Sequence, residues 1–492
     1  MSGHETSSPS VADLLQKLAK LDRRVGGLTA EVREIRAENK RLRRENKKLQ
    51  ERVRDLEAQL GLNSQNSSLP PSSDLPWTAP KRTPRERIGR KPGGQPGHDP
   101  HQRVLVPEDK LAESYDVKPS NCSNCGAKLR GNDPEPFRHQ VTDLPPKIEP
   151  YVTEHRLHSL ECPCCGTVTR AELPDDVPRS GFGPRLVAIV AILSGVYRLS
   201  HRMMVAAVSD LFGIDMSLGS VTACQRQASE ALAKPVEEAR EFVKQRATKQ
   251  ADETSWFQGP KREKVWLWVV HTQLVSVFLI HVSRGADAAR EILGEAFGYL
   301  ISDRWSGYNW WPLMNRQICW AHLKRQFQGF VDLGGAPAKI GEGLLDQVEK
   351  LFEMWCRVRD GTLLRSSFQT YISPIRLEVE SLLEKGTRCR NKKTAGRCAA
   401  ILKVFPALWT FARVEGTEPT NNASERSIRP GVIWRKLSFG THSLEGSKFV
   451  ERMLTVTLTL RQQGRNVLRY VTDAVVARQT GVTPGSLLPA VS

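Results

Sequence analysis

The 492-residue sequence predicts a multidomain α+β chain: an N-terminal parallel coiled coil, a cysteine module, a helical segment, and an α/β core with a helical insertion. Three patterns predict it. Apolar residues recur in steps of four and three from Leu14 to Leu60. Two Cys-x-x-Cys pairs stand at Cys122/Cys125 and Cys162/Cys165. Runs of β-branched and aromatic residues between 250 and 282 precede an amphipathic helix and two more short strands. The net charge of +18 speaks about partners rather than fold, with nucleic acid the first candidate. The longest apolar run, Leu186–Leu193, is far too short to span a bilayer, and the N-terminus has no apolar signal core. A cytoplasmic setting without membrane association is expected, in which clustered cysteines read as metal ligands before disulfides.

The first element, 11–62, is a heptad. Position a holds Leu18, Val25, Val32, Asn39, Asn46, Val53 and Leu60; position d holds Leu14, Leu21, Leu28, Ile35, Leu42, Leu49 and Leu56. Val at a with Leu at d favours two parallel strands, and Asn at a fixes register. In a parallel pair, Lys17 faces Asp22, Glu31 faces Arg36, Glu38 faces Arg43 and Arg52 faces Glu57, all opposite in sign. A homodimer or higher oligomer through this coil is therefore expected, the alternative being one amphipathic helix packed on its own chain. The next segment, 63–110, is rich in Ser, Pro and Gly and reads as an extended linker. Its basic stretch carries Lys81, Arg82, Arg85, Arg87, Arg90 and Lys91, which suit a phosphate backbone or simply a solvated linker. The heptad from Leu14 to Leu60 nets +6 and the stretch 81–91 nets +5, so more than half of the excess charge lies ahead of the core.

The module 111–178 carries the cysteine pairs. Two such knuckles can offer four thiolates, Cys122, Cys125, Cys162 and Cys165, at the corners of a tetrahedron, as structural Zn²⁺ requires. Gly126 and Gly166 follow the knuckles, and Cys164 is a spare thiol that could replace a neighbour. Cys224, Cys319, Cys356, Cys389 and Cys398 are scattered and expected as buried small hydrophobes. Residues 179–245 read as helices; helix, Gly-containing turn and helix between Arg202 and Ala228 fit a helix-turn-helix or an ordinary helix pair.

After Thr248 the order becomes β-β-β-α-β-β. Asp252 lies on the first strand and Asp303 ends the fourth, the order and placement of a ribonuclease-H-like core, divided into 246–330 and 413–470. A third acid, Glu425, sits early in a helix opened by Asn421 and Asn422; Pro430-Gly431 should end or kink that helix. Between the parts, 331–412 reads as an inserted helical subdomain, and 471–492 as a C-terminal tail. Lys324, Arg325, Arg426, Arg429, Arg435 and Lys436 are candidate phosphate contacts. Trp256, Trp305, Trp310 and Trp311 fit either base stacking or the core. Cys319-x-x-His322 is too small for a metal site by itself, so His322 is expected to bond near the acids.

Asp-Glu-Thr at 252–254, Ser-Asp-Arg-Trp-Ser-Gly-Tyr at 302–308 and Asn-Asn-Ala-Ser-Glu-Arg-Ser-Ile-Arg-Pro at 421–430 resemble the acidic blocks of the insertion sequence 66 transposases (TnpC-type). The linker motifs Asn63-Ser-Gln-Asn-Ser-Ser and Arg90-Lys-Pro-Gly-Gly-Gln-Pro-Gly-His98 are similar to that family's as well. The resemblance implies a DDE transposase with Asp252, Asp303 and Glu425 binding Mg²⁺ (or Mn²⁺). It implies cleavage at transposon ends followed by strand transfer into target DNA, in the bacterial nucleoid, with accessory proteins of the same element as candidate partners. Two active-site metals would activate the attacking oxygen and stabilise the leaving one, Asp252 bridging both. The rival readings are a non-catalytic, zinc-containing dimeric DNA-binding regulator and a nuclease without strand transfer.

Overall fold

A computed structural model describes residues 11–60, 104–145 and 148–489. The basic linker residues Lys81, Arg82, Arg85, Arg87, Arg90 and Lys91 lie outside the described residues. The chain opens with one helix, α1 (Val11–Leu60), that Gly26 and Gly27 do not interrupt. Leu18, Leu21, Val25, Leu28, Ile35, Leu42 and Leu49 stand exposed along it, each at half or more of its full area. At about 1.5 Å per residue the helix is roughly 75 Å long.

The cysteine module follows. Its only strands among the described residues are β1 (Ser159–Glu161) and β2 (Val168–Arg170), paired antiparallel. No described residue from 104 to 183 is buried, so the module has no apolar core of its own. Four helices come next: α2 (Pro184–Gly195), α3 (His201–Phe212), α4 (Leu218–Ala231) and α5 (Ala233–Lys244). Gly213, at φ 64°, ends α3, and the Ser217 hydroxyl accepts the Ser220 amide to cap α4. The apolar run 186–193 is the buried body of α2.

Five strands form the central sheet: β3 (Thr248–Gln258), β4 (Glu263–His271), β5 (Ser276–His281), β6 (Tyr299–Ser302) and β7 (Arg316–Ile318). Helix α6 (Ala286–Leu293) connects β5 to β6. The order across the sheet is β5-β4-β3-β6-β7; the first three strands are antiparallel, and β6 and β7 run parallel to β3. The observed strand and helix order is the one the sequence pattern predicts.

Beyond the sheet lie α7 (Trp320–Val331), α8 (Gly335–Arg359), α9 (Arg365–Thr387), α10 (Lys392–Leu402), the short α11 (Thr410–Arg413), α12 (Asn422–Ser438), α13 (Leu444–Gln462) and α14 (Val467–Gln479). One core joins the sheet to α2–α6 and α12–α14. A second core runs from Ile318 to Ala412. The inserted helices therefore recruit α7 as well, because Trp320, Leu323, Phe327 and Phe330 face α8 rather than the sheet.

The free edge of β5 is covered by α13. Ser276, Phe278 and Ile280 donate their amides to Thr459 Oγ1, Thr455 Oγ1 and Glu451 Oε1 at 3.1, 3.1 and 2.7 Å. Alternate residues of a strand and every fourth residue of a helix both repeat at about 6–7 Å, so the two ladders match. The exposed edge is thereby removed as a pairing site.

Three expectations change. The tail 471–492 is not peripheral: α14 buries Tyr470, Val471, Ala474 and Val475, and Leu487 is buried too. Helix α12 continues through Pro430 to Ser438. Ile428, Gly431 and Trp434 bury one of its faces, and a Cβ on Gly431 would come 2.3 Å from Leu267 Cδ2 of β4. That close packing holds the helix across the missing amide. Of the scattered cysteines, Cys224, Cys319 and Cys398 are buried, whereas Cys356 is exposed and Cys389 half-buried.

Candidate active site

The sheet register brings the first two acids together. Thr248 pairs with Tyr299 and Gln250 with Ile301 across parallel β3 and β6. The same offset carried two residues further would set Asp252 opposite Asp303, the residue just past the end of β6. Glu425 arrives in the first turn of α12. Asn421, at the N-cap, does not cap the helix with its side chain; its Nδ2 donates to Ala251 O at 3.4 Å. The Ser424 amide donates to Gln250 Oε1 at 3.4 Å, so two contacts pin the start of α12 to β3 beside Asp252.

The convergence is visible in the electrostatics. Burial, followed by the negative charges of Glu253, Glu425 and Asp303, holds Asp252 well above the usual carboxylate range. Such a cluster is unfavourable alone and favours a cation among its oxygens. Three carboxylates are a hard, all-oxygen donor set that fits Mg²⁺ or Mn²⁺.

Around the acids, His322 Nδ1 lies 3.4 Å and Arg325 Nη2 3.6 Å from Glu425 Oε1. Burial first, then Arg325, pushes His322 down, against the pull of Glu425 and Asp303. Cys319 begins α7 and is fully buried; burial pushes its thiol up to about 11. Among the described residues, one trio could hold a metal ion through ligand atoms within 4.8 Å of one another: Cys319, His322 and Glu425.

A residue the sequence reading passed over is Glu253. It is buried on β3, 2.8 Å from Arg284 Nη2, and its Oε2 accepts from Tyr308 Oη at 2.5 Å. Burial and Asp303 outweigh those contacts and push it up to about 7. Arg284 stacks over Trp305 with its guanidinium carbon 3.9 Å from the ring centroid. The Trp305 amide donates to Asp303 Oδ1 at 2.9 Å. The loop after β6 is thus locked to β3 through Glu253, and Asp303 is held with it. The only signal in the sequence was that Glu253 adjoins Asp252. His271 was also missed: its Nδ1 lies 2.9 Å from both Ser276 Oγ and Ser427 Oγ, tying β4 to α12.

The tryptophans belong to the framework. Trp256 and Trp311 are buried, with indole N–H groups donating to Thr441 Oγ1 and Gly298 O. Trp305 donates to Arg284 O, and Trp310 packs on Trp311 and Arg290.

The candidate phosphate contacts separate into two groups. Lys324, Arg426, Arg429 and Lys436 are exposed, the last three along one face of α12. Arg325 is turned to Glu425, and Arg435 is spent on β3, donating to Thr254 Oγ1 at 3.0 Å and to Ser255 Oγ at 2.6 Å. The insertion adds a feature the sequence reading passed over. From Lys385 to Lys403 there are seven Lys and Arg and no acid, and no described residue forms an ion pair with them.

In the module, Cys122 and Cys125 share one tight turn and Cys162 and Cys165 the other. Gly126 N donates to Cys122 O and Gly166 N to Cys162 O, each at 2.9 Å. Both glycines have positive φ, 74° and 70°. Backbone amides of Cys125 and Asn124 lower the Cys122 thiol, and the Thr167 hydroxyl lowers Cys165. Turns that favour thiolate, in a module without a buried core, fit a structural metal.

A mixed sheet bearing converging carboxylates, with a cysteine-knuckle module ahead of it, is the setting in which the comparisons with known proteins fall. The model described as "Transposase IS66 family" matches residues 179–449. The zinc-finger binding domain of transposase IS66 matches 119–166, and a family of unknown function, DUF6444, matches 13–104. No curated protein matches. The chain belongs to the IS66 family of transposases, and the zinc-finger match, which spans both cysteine pairs, supports structural zinc. No helix among the described residues is long and apolar enough to cross a membrane.

Proposed function

We propose that this chain is a DDE transposase that cleaves DNA at transposon ends and transfers the freed strand into target DNA. The observation that supports the reading is that Glu425, at the start of α12, and Asp303, just past the end of β6, both lie near enough to Asp252 on β3 for their charges to raise its carboxyl. The sheet order, three antiparallel strands followed by two parallel ones, supports a ribonuclease-H-like core. A DNA-binding regulator has no need of three acids held together against their mutual repulsion.

The residues divide the work. Asp252, Asp303 and Glu425 would hold divalent Mg²⁺ or Mn²⁺, which when bound supplies Lewis-acid activation of the attacking and leaving oxygens. The Trp305 amide fixes one Asp303 oxygen, and Arg325 lies beside Glu425 from the side of α7. The exposed Lys324, Arg426, Arg429 and Lys436, with the cations of 385–403 and of the linker, supply counter-charge for phosphates. Cys122, Cys125, Cys162 and Cys165 hold structural Zn²⁺. The exposed a and d residues of α1 pair two chains in a parallel coiled coil, which places two DNA ends in one complex. Helices α3 and α4 form the candidate helix-turn-helix.

The test compares wild type and Asp303→Asn on labelled element-end DNA with Mg²⁺. Wild type is expected to nick the end and join it to target DNA, and the variant to do neither. Equal cleavage by the two would sink the assignment.

A further inference from the structure

The pair Cys319 and His322 gains a third donor from the fold. We propose that Cys319 Sγ, His322 Nδ1 and Glu425 Oε1 form a second metal site, selective for thiophilic divalent ions of the zinc and cobalt class, that shares the third carboxylate with the catalytic cluster. One ligand atom from each of the three side chains lies within 4.8 Å of the other two. His322 Nδ1 and Glu425 Oε1 are both shielded from solvent, lack a hydrogen-bond partner among the described residues, and face each other at 3.4 Å. Cys319 starts α7 and His322 follows one turn later. That helix start is fixed by Cys319 N donating to Ser302 O at 2.9 Å and Trp320 N to Pro419 O at 3.0 Å, so the trio is held between the ends of β6 and the approach to α12. The Asn421 amide points at Cys319 Sγ from 3.4 Å, a contact that favours negative charge on sulfur.

The donor types set the selectivity. Sulfur, imidazole nitrogen and one carboxylate oxygen suit Zn²⁺ or Co²⁺ with a fourth position left to water; Mg²⁺ prefers the all-oxygen cluster next door. Binding forms metal–sulfur, metal–nitrogen and metal–oxygen bonds and releases the Cys319 thiol proton to solvent, with no change of oxidation state. Thiolate and carboxylate then balance the divalent charge. Arg325, 3.6 Å from the same Glu425 oxygen, competes with the ion. A single carboxylate with two claimants makes the site inhibitory: an ion on the Cys319 side holds Glu425 away from Asp252 and Asp303. This consequence rests on the transposase reading; the binding itself does not.

The experiment loads full-length wild type, His322→Gln and Cys319→Ser with Co²⁺ and reads metal per chain and thiolate-to-cobalt absorption. Wild type is expected to hold about one Co²⁺ per chain more than either variant, because the knuckles and the carboxylates retain theirs. Equal metal content in wild type and both variants, with folding checked by circular dichroism, overturns the site. His322→Gln, at a half-buried position, keeps the test decisive if Cys319→Ser does not fold. In a second arm, Zn²⁺ is titrated into Mg²⁺-driven cleavage. Wild type should be inhibited at about tenfold lower Zn²⁺ than His322→Gln; identical inhibition overturns the inhibitory role. If no chain cleaves DNA, the transposase reading fails while the Co²⁺ result still decides the site.

Discussion

The cysteine knuckles and the carboxylate cluster are both candidate metal sites, built in opposite ways. Each knuckle takes its two thiols from four consecutive residues, and a turn closed by Gly126 or Gly166 sets their spacing before any tertiary contact forms. Nothing packs behind it, since no described residue from 104 to 183 is buried. The carboxylates stand 51 and 122 positions apart in sequence and meet only because β3 pairs with β6 and α12 docks through Asn421 and Ser424. Behind them is a large core. On the proposed reading the local site would depend on its metal for structure, whereas the sheet-borne site would be preorganised by the fold and tolerate repulsion between its acids.

That contrast can be broken by removing ligands. Asp252→Asn or Glu425→Gln should lower cleavage on the order of 10²–10³-fold or more. Asp252→Asn should leave the melting temperature unchanged or raise it, since one repelling charge is gone; a clear fall would show that the acids do not repel. The double variant Cys122→Ser/Cys125→Ser should behave in the reverse manner. It should lose about one Zn²⁺ per chain and open residues 119–166 to protease, with the main thermal transition kept. Unchanged zinc content removes the knuckles as ligands.

Smaller effects sharpen how the sheet site is held. Glu253→Ala leaves the buried Tyr308 hydroxyl without its acceptor and should cost about 1–3 kcal/mol in chemical denaturation; a change within experimental error would mean that the loop after β6 is anchored elsewhere. Burial and Arg426 hold His271 down at about 4 from its ordinary 6.5. The unfolded chain then binds the proton first, so stability is full above about pH 6.5 and is lost as pH falls toward about 4. The total is on the order of 3 kcal/mol, and His271→Gln should flatten that part of the stability–pH curve. Smallest is the surface term. Lys392→Ala/Lys393→Ala in the acid-free run should reduce the salt slope of DNA binding by about 2, with little effect on folding; an unchanged slope removes α10 from the DNA path.

Much was legible from sequence because it is local. The heptad predicts a long helix, observed from Val11 to Leu60, since a and d residues repeat along one face. The strands between 248 and 281 follow from β-branched and aromatic runs that the sheet buries. Asp252, Asp303 and Glu425 were legible as acids on a strand, at a strand end and at a helix start.

What the tertiary structure decided is everything that needs a partner distant in the chain. Pro430 continues inside α12 because Gly431 lets that helix press onto Leu267, a contact no local rule contains. Asn421 looks like a cap in sequence, yet its amide is drawn across to Ala251. Arg435 reads as a phosphate contact and is instead consumed by Thr254 and Ser255. Glu253 alternates with Asp252 on one strand, and only the return of Tyr308 and Arg284 to β3 shows what it holds. Local pattern fixes which backbone states and faces a segment prefers; which buried charge meets which partner is settled by packing, because the cost of an unpaired buried group exists only once the fold removes the water.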